Sequence, residues 1–293
     1  MAFDGFSVSR VDLGEISTRV RHGGSGPPLL LLHGCPQTHM MWGQIAGELA
    51  RDFTVIAPDI RGYGDCDKPP NTLDNALYSK RTMAKDAIAL MDHFGFPQFN
   101  LAGHDRGGRV AYRLAMDHPT RVRRLSVLDI IPTGEVWARP TAVLMRGYWH
   151  WSFLALPAPQ PEQVIEAVGG DTFFLKRPLD WLDKPFVDRD AYADYARCNA
   201  DPETIRGICE DYRAGARIDR KIDDERGTTK IACPVQVLWG AKGFVGRAYD
   251  PLEVWAGWAD DLCGEGLDCG HFIPEERPAE TLAAFRRFFL TGN

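Results

Sequence analysis

No apolar run in this chain approaches the ~18 residues that a membrane-spanning helix needs. The longest compact one is Leu29 to Leu32. The N-terminus carries Asp4 and Asp12 and lacks a basic region followed by an apolar stretch, so an ordinary secretory signal is not expected. The seven cysteines are an odd number without a Cys-x-x-Cys pair. They read as reduced thiols in a cytoplasmic protein. Cys263, Cys269 and His271 are close in sequence but lack a fourth ligand at zinc-site spacing, so no metal is expected. The chain has neither a P-loop nor a dinucleotide fingerprint, and no cofactor is expected. Positive charge is also short. Lys plus Arg number 34 against 40 Asp plus Glu, a formal net charge of −6. Nucleic acid and anionic membranes are therefore poor partners, and any anionic ligand must be held by a few local cations.

What the chain does have is an alternation of short apolar strands and amphipathic helices. Its 293 residues suit one large domain or one domain with an insertion. The first 22 residues alternate and predict two antiparallel strands. Leu29–Leu32, Thr54–Ala57, Phe99–Ala102, Leu125–Leu128, Val235–Leu238 and Leu262–Leu267 read as further strands. Helical spacing falls at Met41–Leu49, Thr82–Phe94, Arg106–Asp117, Pro251–Ala259 and Pro278–Leu290. The pattern predicts an α/β fold with a mostly parallel central sheet flanked by helices. From about Pro132 to about Lys230 the rhythm breaks into a Trp-, Pro- and Tyr-rich stretch that reads helical or irregular. The expected organisation is a core of 1–132 and 231–293 with an inserted, mainly helical cap of 133–230. Such a cap would lie over the carboxyl ends of the strands, where ligands bind in open α/β sheets.

The strand at Phe99 runs directly into Gly103-His104-Asp105-Arg106-Gly107, a G-x-D-x-G turn that opens a helix. In G-x-S-x-G enzymes this turn lifts a nucleophile above the sheet at a helix N-terminus. A carboxylate there reads equally as an N-cap. Three other features favour the nucleophile. His33-Gly34 follows a strand where an oxyanion-hole loop belongs, Asp129 ends the strand after the Asp105 helix, and Gly270-His271 follows the last predicted strand. The order nucleophile, acid, histidine also matches. Asp250 is the more distant second candidate for the acid.

With these features the chain resembles the α/β-hydrolase superfamily and, more narrowly, the fluoroacetate (haloacetate) dehalogenases. The resemblance runs over nearly the whole length. It is carried by His33-Gly34-Cys35-Pro36-Gln37-Thr38-His39 with Trp42, Arg61-Gly62-Tyr63-Gly64, Asp105-Arg106-Gly107-Gly108-Arg109, and Leu128-Asp129-Ile130. His150-Trp151-Ser152-Phe153, Cys209-Glu210-Asp211-Tyr212-Arg213-Ala214-Gly215 and Gly270-His271-Phe272 complete it. It implies hydrolytic dehalogenation of haloacetates by a homodimer, with Asp105, Asp129 and His271 as the triad. Asp105, already ionised at neutral pH, would displace halide from an sp³ carbon, and His271 would activate water against the resulting ester. Arg106 and Arg109, three apart on one helix face, match arginines that bind the substrate carboxylate. The alternative is that they merely pair with acidic neighbours, including Asp105, but their place beside the nucleophile favours the receptor. His150, Trp151 and Tyr212 match the donors to departing halide, where composition alone reads them as cap packing. Backbone N–H groups near Cys35 and Arg106 would form the oxyanion hole, and Trp181 would wall the pocket. Cys35 stands where relatives usually carry Phe. Epoxide hydrolases and haloalkane dehalogenases use the same kind of nucleophile, and a silent ligand receptor could keep the fold. Arg113 is expected at the surface, Asp59 and Asp65 read as loop acids, and His104 reads as an orienting or buried residue.

Overall fold

Leu29, Leu30, Leu31 and Leu32 are each no more than 1% exposed. Burying one leucine contributes roughly 1.5–3 kcal/mol, so this run anchors the core. In the computed structural model, which describes residues 3–70, 72–176 and 184–291, it forms β3 (Pro28–Leu32) of an eight-stranded sheet. The other strands are β1 (Ser7–Asp12), β2 (Ser17–Gly23), β4 (Thr54–Pro58), β5 (Phe99–His104), β6 (Val122–Leu128), β7 (Val235–Gly240) and β8 (Leu262–Leu267). Their order across the sheet is β1-β2-β4-β3-β5-β6-β7-β8. The β1–β2 and β2–β4 pairs are antiparallel and the remaining pairs parallel. The expected α/β-hydrolase arrangement is thus present, with each strand at its predicted place.

Helices α1 (Gly43–Leu49), α2 (Lys80–His93) and α3 (Asp105–Asp117) connect the first strands. Between β6 and β7 the described residues form helices and no strand. These are α4 (Thr133–Ala138), α5 (Ala142–Gly147), α6 (Trp149–Leu154), α7 (Gln160–Val168), α8 (Arg189–Asn199), α9 (Pro202–Ala214) and α10 (Arg220–Glu225). The chain then returns through α11 (Phe244–Ala248), α12 (Pro251–Ala256), α13 (Ile273–Glu276) and α14 (Pro278–Phe289). No described helix is long and apolar enough to cross a membrane.

The strand order reverses around β3, which has β4 on one side and β5 on the other. Ligands in such sheets bind beyond the carboxyl ends of the strands near this reversal. His33, Asp105 and Asp129 each directly follow the last residue of β3, β5 and β6, and all three gather at that edge.

Packing corrects one expectation and sharpens another. Arg113 is not at the surface but 5% exposed. Its helix packs against both α2 and the sheet, and its guanidinium is held by Asp117 at 2.6 Å. Asp59 does lie in a loop, yet it is 1% exposed. It accepts the His39 backbone N–H at 3.0 Å, the His39 ring at 2.7 Å and Arg19 Nε at 3.1 Å. The loop after β4 is covered by the turn at His39–Trp42, so this carboxylate is a structural hub.

Candidate active site

The turn after β5 is tight because Gly107 permits it. A Cβ on Gly107 would sit 2.3 Å from the His33 carbonyl oxygen, so only glycine lets α3 begin this close to β3. Asp105 adopts φ +44° in this turn, a conformation that side chains rarely allow. The N-cap position of α3 belongs to His104. The Asp105 carboxylate turns away to accept the Cys35 backbone N–H on Oδ2 at 3.0 Å. The cap reading of Asp105 therefore gives way to an oriented carboxylate. Burial pushes its pKa up, but positive charge at His271, Arg106 and Arg109 outweighs this and holds it below the usual carboxylate range.

Asp129 follows β6, also in the left-handed region at φ +50°. Its Oδ1 accepts the Gly240 N–H at 2.9 Å, and its Oδ2 accepts a hydrogen bond from the His271 Nδ1–H at 2.5 Å. Both carboxylate oxygens are thus committed, which fixes the imidazole and leaves Nε2 as its free nitrogen. Burial lowers the His271 pKa, yet the bond and charge of Asp129, followed by the charge of Asp105, raise it above its ordinary value. Asp250 plays no part here; it caps α12 by accepting the Glu253 N–H at 3.1 Å. His104 braces the histidine loop. Its Nε2 donates to the His271 carbonyl at 2.8 Å, and burial holds its pKa down at about 3, so the ring stays neutral.

Arg106 and Arg109 are each 1% exposed. Arg106 donates from Nε to Asp211 Oδ2 at 2.6 Å and from Nη2 to the Asp211 carbonyl at 3.0 Å. Asp211 in turn pairs with Lys80 and accepts the Tyr63 hydroxyl at 2.7 Å. The spacing of the two segments does not reveal this pairing, whose members lie 105 positions apart. Arg109 donates from Nη1 to the Ile131 carbonyl at 2.8 Å and to Thr133 at 3.2 Å. Each guanidinium also covers an aromatic face. Arg106 lies 4.2 Å from the centroid of the Tyr212 ring, and Arg109 lies 4.4 Å from that of Trp151. Such contacts are attractive because the ring face is negative.

A cavity of about 540 Å³ joins these parts. Asp105, His271, Cys35, His150, Trp151 and Tyr212 share its wall, whereas neither Arg106 nor Arg109 lines it. The halide-binding candidates and the candidate nucleophile, far apart in sequence, are therefore together. Burial pushes the His150 pKa down to about 4, leaving a neutral imidazole at neutral pH. The Tyr212 hydroxyl is raised well above its ordinary value by burial and nearby negative charge, so it remains a proton donor. Tyr148, which the sequence did not single out, also lines the cavity and stacks on Trp151 at 5.0 Å between centroids. Trp181 lies outside the described residues.

A buried acid links the site's loops. Glu275 in α13, 3% exposed, accepts the Tyr195 hydroxyl at 3.0 Å and is bonded by Gln37 of the Cys35 loop. Burial pushes its pKa from 4.5 to about 8. The folded state therefore holds this proton more tightly than the unfolded chain does. The stability it contributes is complete below pH 4.5 and is lost as pH rises to about 8. Glu275→Gln should shrink the loss of Tm between about pH 5 and about pH 8. Equal losses in variant and parent, measured by thermal denaturation, would exclude Glu275 as the group responsible.

Comparison with known proteins agrees with this fold. The model of the alpha/beta hydrolase fold family matches residues 27–278. A fluoroacetate dehalogenase from Burkholderia sp. is 41% identical over 288 residues, 98% of this chain and 94% of the relative. A soluble epoxide hydrolase from Corynebacterium sp. (strain C12) is 35% identical, with 91% of each chain covered. The crystal structure of a Nostoc sp. PCC 7120 protein assigned to the α/β hydrolases superposes with a TM-score of 0.96 at 46% identity, covering 99% of this chain and 100% of that one. The chain is a hydrolase of the α/β-hydrolase superfamily and belongs, within it, to the fluoroacetate dehalogenase family.

Proposed function

We propose that this protein hydrolyses haloacetates to glycolate and halide through an ester on Asp105, with residues 133–230 as the cap that shuts the site from water. The observation that carries this reading is the shared cavity wall. A carboxylate held in an oxyanion-type pocket faces an imidazole, an indole and a phenol that can all donate protons. Oδ2 of Asp105 is occupied by the Cys35 N–H, so Oδ1 attacks the halogen-bearing carbon. The new O–C bond forms as the carbon–halogen bond breaks, and the bonding pair leaves with the halide. Fluoride is a poor, strongly hydrated leaving group, and several donors must replace its water. Arg106 over Tyr212 and Arg109 over Trp151 make those O–H and N–H edges stronger donors, and their charge attracts the substrate carboxylate.

In the second step water attacks Cγ of Asp105 and gives a proton to His271 Nε2. Charge develops on Oδ2, where the Cys35 N–H already points. Collapse breaks the bond from Cγ to the glycolate oxygen, which takes the proton from the His271 imidazolium and leaves as the glycolate hydroxyl; the Asp105 acid then gives up its proton through His271 to solvent, which restores the carboxylate. Esterification also removes the Asp105 charge that helps raise the His271 pKa. The histidine pKa therefore falls in the state that needs a base. The rate of ester hydrolysis should rise with pH and level off at a midpoint below the His271 pKa of the resting enzyme. Rapid-quench rates set against an NMR titration of the His271 ring measure both, and a midpoint at or above the resting value would contradict this coupling.

Fluoroacetate, chloroacetate, 1-chlorobutane and styrene oxide, assayed side by side for halide and diol, test the assignment. Turnover of the haloacetates supports it, and turnover of neutral substrates alone overturns it. One observation favours epoxide hydrolysis as the second reading: Tyr148 and Tyr212 both line the cavity, and paired cap tyrosines can activate an epoxide oxygen. Tyr212→Phe removes a proton donor and should slow fluoride release by about 10²-fold. Chloride, a better leaving group, should be affected less. Equal losses for the two halides would exclude a halide role for this hydroxyl.

A further inference from the structure

The cavity has a second pair of cations that the chemistry above does not use. Arg146 lies in the last turn of α5 and Arg247 in the last turn of α11, and both are exposed while lining the same cavity as Asp105. The two helices touch: a Cβ on Gly147 would lie 1.9 Å from the Phe244 ring. Neither guanidinium pairs with a carboxylate among the described residues. The one side-chain hydrogen bond of Arg247 among them runs from Nε to the Gly243 carbonyl at 3.1 Å, and the Arg146 side chain has none there. Elsewhere in the chain exposed arginines are commonly paired, as Arg10 is with Asp67 and Arg197 with Asp65. The carboxylates on the cavity wall are Asp105 and Asp129, and the second is committed to His271. A helix C-terminus favours a cation wherever it lies, but that preference does not bring two of them to one opening.

We infer that Arg146 and Arg247 form an outer anion subsite at the cavity mouth, which takes up a small carboxylate before it reaches Asp105. The inference deepens the haloacetate reading and rests on it for the identity of the carboxylate. The chain carries a net charge of −6, and its nucleophile is itself an anion, so an anionic substrate must cross an unfavourable field to arrive. Arg106 and Arg109 are tied to protein partners and stand off the wall. Two guanidinium groups without carboxylate partners at the opening reverse the sign of the local potential and concentrate anions there. Their effect must fade with salt, because exposed charges are screened beyond the Debye length.

The test is binding rather than turnover. Acetate and neutral acetamide are titrated into the parent protein and the Arg146→Gln/Arg247→Gln double variant. Intrinsic fluorescence reads the result, since Trp149 and Trp151 line the cavity. Circular dichroism checks the fold. Acetate affinity should fall about three- to tenfold in the variant at low salt. High salt should abolish the difference, and acetamide should bind both proteins alike. Unchanged acetate affinity at low salt, no acetate binding to either protein, or an equal loss for acetamide would each overturn the subsite. Halide release by the parent protein is scored separately. Its absence removes the proposed reaction while the titration still decides the subsite.

Discussion

Asp105→Asn should abolish halide release from haloacetates, by at least about 10⁴-fold. An amide oxygen is a far weaker nucleophile than a carboxylate at sp³ carbon. The loss should not come from unfolding, because Asn fills the same volume and tolerates positive φ well, as required at +44°. Its side-chain oxygen can still accept the Cys35 N–H. Halide-selective detection with excess substrate checks the result, and peptide mass spectrometry excludes deamidation back to Asp. Near-parental turnover by a variant whose amide is intact would remove Asp105 from the nucleophile's role.

His271→Asn should stop the cycle one step later. Alkylation does not use the imidazole, so one equivalent of halide per site is expected in a burst. Steady turnover should then fall by about 10⁴-fold or more. The peptide bearing Asp105 should gain the mass of one carboxymethyl group. Single-turnover hydrolysis by the parent enzyme in heavy-oxygen water gives the complementary result: the label enters Asp105, because water attacks the carboxyl carbon and the original Asp105 oxygen leaves with glycolate. An unmodified peptide together with direct labelling of glycolate would exclude the ester.

The strands were legible because a sheet buried on both faces demands continuous apolar runs, and Leu29–Leu32 is such a run. The convergence of the candidate triad was legible for a related reason. In a parallel sheet every strand's carboxyl end lies at one edge, so Asp105, Asp129 and His271 converge once the strands are placed. Asp211 was not legible. Its importance comes from its position opposite Arg106 and Lys80, and nothing in the spacing of either segment marks that pairing. Arg113 misled for the same reason. Helical periodicity shows which face is most apolar, but not that α3 is enclosed so fully that a guanidinium is buried too. Glu275 shows the limit most clearly. A charged residue beside Glu276 and Arg277 reads as solvent-facing until Gln37 and Tyr195 are seen to hold it.

Asp211 belongs to α9, whereas Lys80 and Arg106 belong to α2 and α3. Pulling α9 away from the sheet would strand these charges in a medium of low polarity, and losing one partner of such a group costs roughly 3–5 kcal/mol. The α9 part of the roof over Asp105 is therefore riveted to the sheet rather than hinged. Whatever enters the cavity must do so without lifting α9.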